Sequence, residues 1–292
     1  MANIELSQGE RLDQYVTRAI PSVTRAYASK LIEAGKVSVN GEVQTKSGYK
    51  LRTADEIIID YDEVAAAVIP HIDLPVIYED DDCVVIDKPD GILTHSKGMF
   101  NPEATVASWL HSRVQAELAD QDTGPNNRAG IVHRLDRATS GVMICAKAVS
   151  AQVWLQKQFA QRRVKKTYIA VVTGVLEHPE AVIDLPIERD PKKPQTFRVG
   201  NQGKVSTTEY RVLKTDGTHS LVELKPQTGR THQLRVHLHY LGHPIVGDTL
   251  YGGEPAERMF LHARELELTT PGRERKVFES PLPASFEVQI NG

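Results

Sequence analysis

A single carboxylate stands among cations in the middle of the chain. Between residues 126 and 176, Asp136 is the only acidic residue, whereas Lys and Arg occur nine times. Because neighbouring positive charge favours the ionised form of a carboxyl group, we expect Asp136 to carry its charge at neutral pH. Such a group suits nucleophilic or general-base chemistry better than acid chemistry. From spacing alone, a structural role for Asp136 as the cap of the turn before Thr139-Ser140-Gly141 fits equally well.

Metal and hydrolase chemistry have weaker support. Four histidines occur within twelve residues, at His232, His237, His239 and His243. Only the last two have a helical ligand spacing, and Gly242 with Pro244 should end the helix there, so we expect no zinc site. Ser140 does not stand in a G-x-S-x-G sequence, which argues against a serine hydrolase. The chain has no glycine-rich phosphate loop or dinucleotide fingerprint, so we expect no cofactor.

The first sixty residues are interpreted as a small separate unit. Apolar residues at helical spacing predict a helix from residue 12 that Pro21 stops, and a second helix with Ser22 as its N-cap and Gly35 at its end. Asn40-Gly41 lies between two short apolar runs and predicts a β-hairpin. A further strand is predicted at residues 56–61.

The remaining chain alternates strands, turns and a few helices. Strands are predicted at residues 83–87, 168–173, 207–213 and 220–225, and helices at residues 150–163 and 230–241. Because the order shows no regular β-α-β repeat, it favours an α+β fold over a doubly wound sheet. Residues 63–74 have neither pattern and are interpreted as a linker.

Composition narrows the class of protein. The chain has 292 residues, 40% of them hydrophobic and 25% charged. This composition excludes a protein that is intrinsically disordered along its whole length. No apolar run approaches the length of a membrane span, and the N-terminal residues lack a signal pattern, so we expect a cytoplasmic protein without a membrane partner. Cys83 and Cys145 lie in apolar surroundings and are predicted to be buried free thiols.

Net charge alone argues mildly against a nucleic-acid partner. The chain has 35 Lys and Arg against 38 Asp and Glu, whereas nucleic-acid-binding domains are usually basic. The charges are unevenly distributed, however. Residues 63–90 contain eight acidic residues and only Lys88 as a cation, and they offset the cationic block around Asp136.

Two resemblances emerge from these segments. Residues 9–61, with RLDQYV, SVTRAYASKLIEAGKVSVNG and DEIIID, resemble the S4 RNA-binding domain. Residues 131–141, IVHRLDRATSG, resemble the HRLDxxTSG signature of the RluA-type pseudouridine synthases. Four further segments match that family in order: YEDDDCVVIDKPDGILTH, KKTYIAVVTG, KPQTGRTHQLRVHLHYLGHPIVGDTLYG and FLHARELEL. The five blocks extend over roughly residues 76–290.

The resemblance implies specific roles in the conversion of uridine to pseudouridine. Asp136 is the implied catalytic aspartate, and Arg134 is the residue that replaces the flipped nucleotide in the RNA stack. Tyr168 is implied to pack on the uracil, and Arg235 to pair with the aspartate. Without the resemblance, Tyr168 is better interpreted as a core aromatic residue and Arg235 as a cation on a helix surface.

Further residues are predicted to contact the RNA backbone. Arg230 and Thr231 follow Gly229 at the predicted start of a helix, where a phosphate binds readily. Lys88, in the KPDG turn, is a candidate for closing the site. The other predicted backbone contacts come from two basic segments, namely Lys165 and Lys166 in one and Arg18, Arg25 and Lys30 in the S4-like unit. The alternative for these cations is a solvated surface.

The resemblances together imply a complete organisation. Residues 1–62 form an S4-like module, residues 63–74 a linker, and residues 75–292 a catalytic domain with a mixed, largely antiparallel sheet flanked by helices. The implied partner is RNA, with large-subunit ribosomal RNA favoured and transfer RNA as the other possibility, and the implied state is a monomer. The alternative is a non-catalytic RNA-binding or ribosome-assembly protein with the same fold. The choice between a covalent ester and a glycal intermediate stays open, as does the role of residues 116–127.

Overall fold

The computed structural model describes residues 6–20, 23, 25–61, 71–95, 103–121 and 128–291. In the N-terminal part, helix α1 is Leu12–Ala19 and helix α2 is Arg25–Glu33. They pack on a small antiparallel sheet in the order β2-β1-β3, with β1 at Val37–Val39, β2 at Glu42–Val43 and β3 at Ile57–Ile59. These elements share a core of their own, to which Leu12, Val16 and Ile32 contribute.

The local signals in this unit had the predicted effects. Gly35, the second residue after α2, adopts a φ of +74°, a left-handed conformation that ends helices. Asn40 and Gly41 both have positive φ, 54° and 81°, as the tight turn between two hairpin strands requires. Ser22, the predicted N-cap of α2, and Pro21 lie outside the described residues.

The larger part of the chain builds one mixed sheet. Its strands are β4 (Val76–Glu79), β5 (Cys83–Lys88), β6 (Ser140–Ala146), β7 (Lys165–Thr173), β8 (Glu180–Asp184), β11 (Thr207–Thr215), β12 (His219–Pro226), β13 (Leu261–Thr269) and β14 (Arg275–Glu279). The order is β4-β5-β6-β13-β7-β12-β11-β8, and β14 pairs with β13. Within the described residues, β6 and β13 run parallel and every other pair in this sheet is antiparallel. The prediction of a mixed, largely antiparallel sheet in an α+β fold is confirmed.

Helices and a short hairpin surround the sheet. The helices are α3 (Val106–His111), α4 (Ala116–Gln121), α5 (Val149–Ala160), α6 (Gln233–Tyr240) and α7 (Ala284–Asn291). A two-stranded antiparallel hairpin consists of β9 (Ile187–Arg189) and β10 (Phe197–Val199), and a 3₁₀ turn spans Thr249–Tyr251. Among the described residues, no helix is long and apolar enough to cross a membrane.

Several segments have other limits in the structure than the sequence predicted. Helix α6 begins at Gln233, three residues later than predicted, because His232 has a left-handed φ of 56° and precedes the first helical residue. The predicted linker lies partly in residues 62–70, outside the described residues, and residues 71–74 have no regular secondary structure. The segment 116–127 begins with α4, whereas residues 122–127 are not described. Cys83 and Cys145 are buried free thiols, as predicted.

The parallel pair β6–β13 depends on a glycine. Strand β6 is buried along its whole length, and Gly141 lies opposite Ala263 of β13. A Cβ atom on Gly141 would stand 2.2 Å from the carbonyl oxygen and 2.6 Å from the nitrogen of Ala263. Since these are backbone atoms of a central strand, they cannot move aside easily. Gly141 thus allows the first residues of β6, which follow the loop of Asp136, to pair closely with β13.

We expect Gly141→Ala to lower the free energy of unfolding by about 3 kcal/mol, because the new methyl group overlaps backbone and the residue has a φ of +116°. The matched control is Gly217→Ala, where φ is +94° but nothing lies within 4 Å of the added Cβ. The control should cost about 1 kcal/mol, from backbone strain alone. Urea unfolding of both variants gives the comparison, and equal losses would contradict a packing role for Gly141.

Candidate active site

A cavity of about 610 Å³ opens beside Asp136. One wall comes from the loop before β6 and another from β7. The third comes from the segment that connects β12 to α6 and from the first residues of that helix. Residues distant along the chain therefore meet at one cavity. Among the residues predicted for the site, the cavity wall contains Asp136, Arg134, Tyr168, Arg235, Arg230, Thr231 and Lys166.

The backbone on both sides of Asp136 is held by residues 88–94. The Thr94 hydroxyl donates to the carbonyl of Leu135 at 2.8 Å. The Gly91 amide donates to the carbonyl of Arg137 at 2.9 Å. The same segment provides the ammonium group of Lys88, which donates to the Arg137 carbonyl at 3.3 Å. These contacts fix the loop that carries Asp136.

Lys88 has a different place from the one expected. It is fully buried and does not border the cavity, so it does not close the site directly. Its ammonium group also donates to the carbonyls of Pro89 and Ile92, at 2.7 and 2.8 Å. Burial lowers the pKa of Lys88 to about 8, while the charges of Asp90 and Asp136 act in the opposite direction. The three carbonyl acceptors compensate the buried cation and join the KPDG turn to the loop of Asp136.

Arg235 lies between two carboxylates. Its Nε and Nη2 donate to the two oxygens of Asp248, each at 2.7 Å, and its Nη1 donates to Asp136 Oδ2 at 3.3 Å. The side chains of Arg235 and Asp248 are only 9% and 2% exposed, whereas that of Asp136 is 21% exposed on the cavity wall. The planar guanidinium suits this two-oxygen contact, which leaves one nitrogen for Asp136. The interpretation of Arg235 as a surface cation is wrong.

Asp248 lies within the family-matching segment KPQTGRTHQLRVHLHYLGHPIVGDTLYG, but nothing in that segment identifies it as the partner of Arg235. It stands 13 residues beyond Arg235, after the end of α6, so no helical spacing links the two. The Arg235–Asp136 contact implied by the resemblance is present, but it is the longer of the two carboxylate contacts of Arg235. Asp248 thus holds the arginine that in turn contacts Asp136.

Strand β7 brings Lys166 and Tyr168 to the same cavity. The two residues are separated by one position, so they lie on one face of the strand. Burial raises the pKa of Tyr168, and the charge of Asp136 adds to the effect, so its phenol is protonated. Burial lowers the pKa of Lys166 to about 8, and its ammonium group donates to the carbonyl of Thr228 at 3.1 Å. This wall thus combines an aromatic ring with a cation.

His133 and Arg134 occupy adjacent positions with different environments. Burial lowers the pKa of His133 to about 3, and Lys166 adds to the effect. The ring of His133 stacks on Phe159 with centroids 4.5 Å apart, and its Nε2 accepts from the amide of Ile144 at 3.1 Å. Arg134 is exposed and places Nη1 3.4 Å from Nε2 of His95. Its guanidinium is therefore accessible at the cavity edge.

Arg230 and Thr231 border the cavity, but they do not begin a helix. The helix starts only at Gln233, so Arg230 and Thr231 do not lie in its first turn, where a phosphate was expected to bind. Instead, the Gln233 side-chain oxygen accepts from the Arg230 amide at 3.0 Å and from the Thr228 hydroxyl at 2.6 Å. The side chain of Arg230 donates to the carbonyl of Val205 at 3.2 Å.

The remaining predicted RNA contacts lie away from the cavity wall. Their side chains are between 41% and 74% exposed. They are therefore accessible to a phosphate that displaces the carboxylate with which each of them pairs. The pairs are Lys165 with Glu267 at 3.3 Å, Arg18 with Glu10 at 2.7 Å, Arg25 with Asp13 at 3.0 Å and Lys30 with Glu103 at 2.5 Å.

The clustered histidines have separate contacts. His237 bonds to the Thr208 hydroxyl and the Leu185 carbonyl, and His243 bonds to the Thr173 carbonyl. In the described part of the chain, no group of three His, Cys, Asp or Glu residues is arranged to hold a metal ion. Ser140 is buried and contacts Nδ1 of His262 at 2.8 Å, away from the cavity wall.

Comparisons with known proteins agree with this architecture. Residues 82–240 match the family model for RNA pseudouridylate synthase, and residues 10–57 match that for the S4 domain. A ribosomal large subunit pseudouridine synthase D of Borreliella burgdorferi is 37% identical over 96% of this chain and 89% of its own. An uncharacterized RNA pseudouridine synthase of Aquifex aeolicus is 39% identical over 83% of this chain and 77% of its own.

A solved structure shares the larger fold. Human RNA pseudouridylate synthase domain containing 1 superposes with a TM-score of 0.59 at 30% identity, covering 74% of this chain and 87% of that one. The chain therefore belongs to the RNA pseudouridylate synthase family and carries an S4 domain in its N-terminal part. The resemblances found in the sequence are confirmed.

We expect Asp248→Asn to lower the free energy of unfolding by about 3 kcal/mol, because it leaves the buried Arg235 with a single, longer carboxylate contact. Denaturant unfolding measures the loss. The matched control is Asp60→Asn. The side chain of Asp60 is 73% exposed, and its carboxylate lies 2.6 Å from the ammonium group of Lys36. The control should change stability by less than about 0.5 kcal/mol. A loss for Asp248→Asn as small as that of the control would show that Asp248 does not stabilise the site.

Proposed function

We propose that this enzyme converts uridine to pseudouridine in structured RNA, that large-subunit ribosomal RNA is the favoured substrate class, and that Asp136 is the catalytic residue. The observation that carries the proposal is the cavity itself. It places a carboxylate, an aromatic ring and an accessible arginine around a space of about 610 Å³. The name of a relative that acts on the large ribosomal subunit supports the substrate class.

The reaction sets demands that this cavity meets. The bond from uracil N1 to ribose C1′ breaks, the base turns, and C5 of the base bonds to C1′, while the hydrogen leaves C5 and N1 becomes protonated. The enzyme needs a carboxylate near the ribose and a cavity that retains the detached base. Asp136 supplies the carboxylate, either as a nucleophile at C1′ or as a base that removes a ribose proton.

Base flipping explains the roles of the neighbouring side chains. A uridine in a folded RNA must leave its stack to enter the cavity, and unstacking costs a few kcal/mol. Arg134, exposed at the cavity edge, is placed to fill the vacated position with its planar guanidinium. Tyr168 offers an aromatic face to the flipped base. Arg235 orients the carboxylate of Asp136 through its contact with Oδ2.

The RNA extends beyond the cavity. We assign an S4-like module to residues 1–62, a linker to residues 63–74 and a catalytic domain to residues 75–292. The enzyme acts in the cytoplasm as a monomer and without a metal or organic cofactor. The backbone contacts are assigned to Arg230, Thr231 and Lys166 at the cavity, to Lys165 nearby, and to Arg18, Arg25 and Lys30 on helices α1 and α2.

We expect Asp136→Asn to lower the rate of pseudouridine formation by at least about a thousandfold, because the amide can neither attack the sugar nor accept a proton. Binding to RNA should change by less than about threefold, since one side chain of equal size is replaced. The measurement is tritium release from [5-³H]uridine in RNA. Asp73→Asn, at a side chain that is 90% exposed, is the control and should be fully active. Activity retained by Asp136→Asn would refute its catalytic role.

We expect Arg134→Ala to slow the reaction on structured RNA about tenfold, because nothing then occupies the stack after the base has left. An unstructured oligonucleotide with the same target sequence should lose less than about threefold, since little stacking has to be broken. Arg211→Ala, which removes an exposed arginine paired with Glu223, is the control. Equal losses on both substrates would exclude an intercalating role for Arg134.

Deletion of the gene should remove pseudouridine from at least one position of large-subunit ribosomal RNA, and the wild-type gene but not Asp136→Asn should restore it. Chemical mapping of pseudouridine in ribosomal and transfer RNA provides the measurement. Loss confined to transfer RNA would overturn the assigned substrate class. No lost position, together with no activity on total RNA, would favour the non-catalytic RNA-binding alternative.

A further inference from the structure

His232 faces Asp136 across the cavity wall. Its Nε2 lies 3.8 Å from Asp136 Oδ2, and the two side chains are 16% and 21% exposed. The residue has a φ of 56°, in the left-handed region that side chains other than glycine rarely adopt. His232 is the residue immediately before α6, so the helix that carries Arg235 also fixes the position of the imidazole.

A chain of hydrogen bonds assigns the hydrogen on the imidazole. The amide of Phe197 donates to the Tyr251 hydroxyl oxygen at 2.9 Å. That hydroxyl lies 2.8 Å from Nδ1 of His232. Among the described residues, Nδ1 is the one acceptor within reach of the Tyr251 hydroxyl hydrogen, so we assign that hydrogen to the bond with Nδ1, which then acts as the acceptor. In a neutral imidazole the hydrogen is then on Nε2, the nitrogen that faces Asp136.

The surroundings favour the neutral ring and hold it in place. Burial lowers the pKa of His232, against the raising effect of the Asp136 charge. The rings of Phe197 and Tyr251 each approach edge-on, with centroids 5.6 Å from that of His232. Packing on two sides limits rotation of the imidazole. The charged groups around it are Asp136, Asp248, Arg235 and Arg134.

We propose that His232 is a positioning residue for Asp136, and that Tyr251 directs the Nε2 hydrogen of His232 toward Asp136 Oδ2. This inference rests on the proposed catalytic role of Asp136. Arg235 contacts the same oxygen, at 3.3 Å, so both donors approach Oδ2. Oδ1 is then the oxygen that reacts with the ribose. The present separation of 3.8 Å is longer than a hydrogen bond. Because hydrogen bonds in unliganded active sites are often long, the proposal requires this separation to shorten when the substrate fills the cavity.

The test compares a substitution that removes the hydrogen-bond donor with one that replaces it. His232→Phe keeps an aromatic ring but has no N–H, and it should lower the single-turnover rate about tenfold. RNA affinity should change by less than about twofold, because neither a neutral imidazole nor a phenyl ring carries a charge that pairs with a phosphate. His232→Gln places an amide N–H near the position of Nε2 and should recover activity to within about threefold of wild type. If the ring of His232 acted only through packing, His232→Phe would react faster than His232→Gln.

Tyr251 provides an independent test. Tyr251→Phe keeps the ring but frees Nδ1, so the imidazole loses its tautomer preference and the rate should fall about threefold. In the His232→Gln background the same change should alter the rate by less than about 1.5-fold, because an amide has no tautomer to direct. His71→Gln, at a histidine whose side chain is 80% exposed, is the matched control and should be fully active.

Clear outcomes overturn the proposal. It is wrong if His232→Phe reacts as fast as wild type, if His232→Gln is no better than His232→Phe, or if the effect of Tyr251→Phe is equal in both backgrounds. The pairwise design remains decisive if His232→Phe does not fold, because the three other variants retain hydrogen bonding or ring packing at the site. Failure of the proposed function looks different, since Asp136→Asn would then be active or the wild-type enzyme inactive on RNA.

Discussion

The site depends on a buried cation that two carboxylates share. Removing a guanidinium from water is costly unless its hydrogen bonds are replaced. Asp248 compensates the buried charge of Arg235 by accepting two short hydrogen bonds, and Asp136 accepts one from the third guanidinium nitrogen. Helix α6, the 3₁₀ turn after Asp248 and the loop before β6 must therefore keep one arrangement. The more exposed of the two carboxylates is the one that faces the cavity, so the ion pair that stabilises this region also holds Asp136 at the cavity wall.

The loop of Asp136 is fixed through its backbone as well as its side chain. Residues 88–94 bond to the carbonyls of Leu135 and Arg137, on either side of the aspartate. Strand β6 follows directly and joins the centre of the sheet, where Gly141 allows close approach to β13. These contacts hold the Asp136 carboxylate in one orientation at the cavity wall, which is the preorganisation that its proposed role requires. The sheet is thus the rigid support, and the cavity forms where its loops and α6 meet.

Charge placement reconciles a nearly neutral chain with an RNA substrate. The cationic block around Asp136 supplies the cavity edge with Arg134 and Lys166, whereas the cations of the S4 domain pair with nearby carboxylates. Exposed pairs of this kind contribute little to stability. Replacement of these carboxylates by RNA phosphates, as proposed for Arg18, Arg25 and Lys30, therefore costs little free energy. Net charge, with 35 cations against 38 acidic residues, averages over these blocks and is a poor indicator of the partner.

Local patterns in the sequence determined most elements and the family. The Asn40-Gly41 turn, the α+β order of the strands and the motif around Asp136 depend on neighbouring residues, whose spacing can be read directly. Asp248 and the Tyr251–His232 contact escaped such reading, and α6 began later than its apolar spacing indicated. Tertiary structure decided these features. Arg235 meets Asp136 across 99 positions and Tyr251 meets His232 across 19, and no local periodicity encodes contacts made between the ends of separate elements.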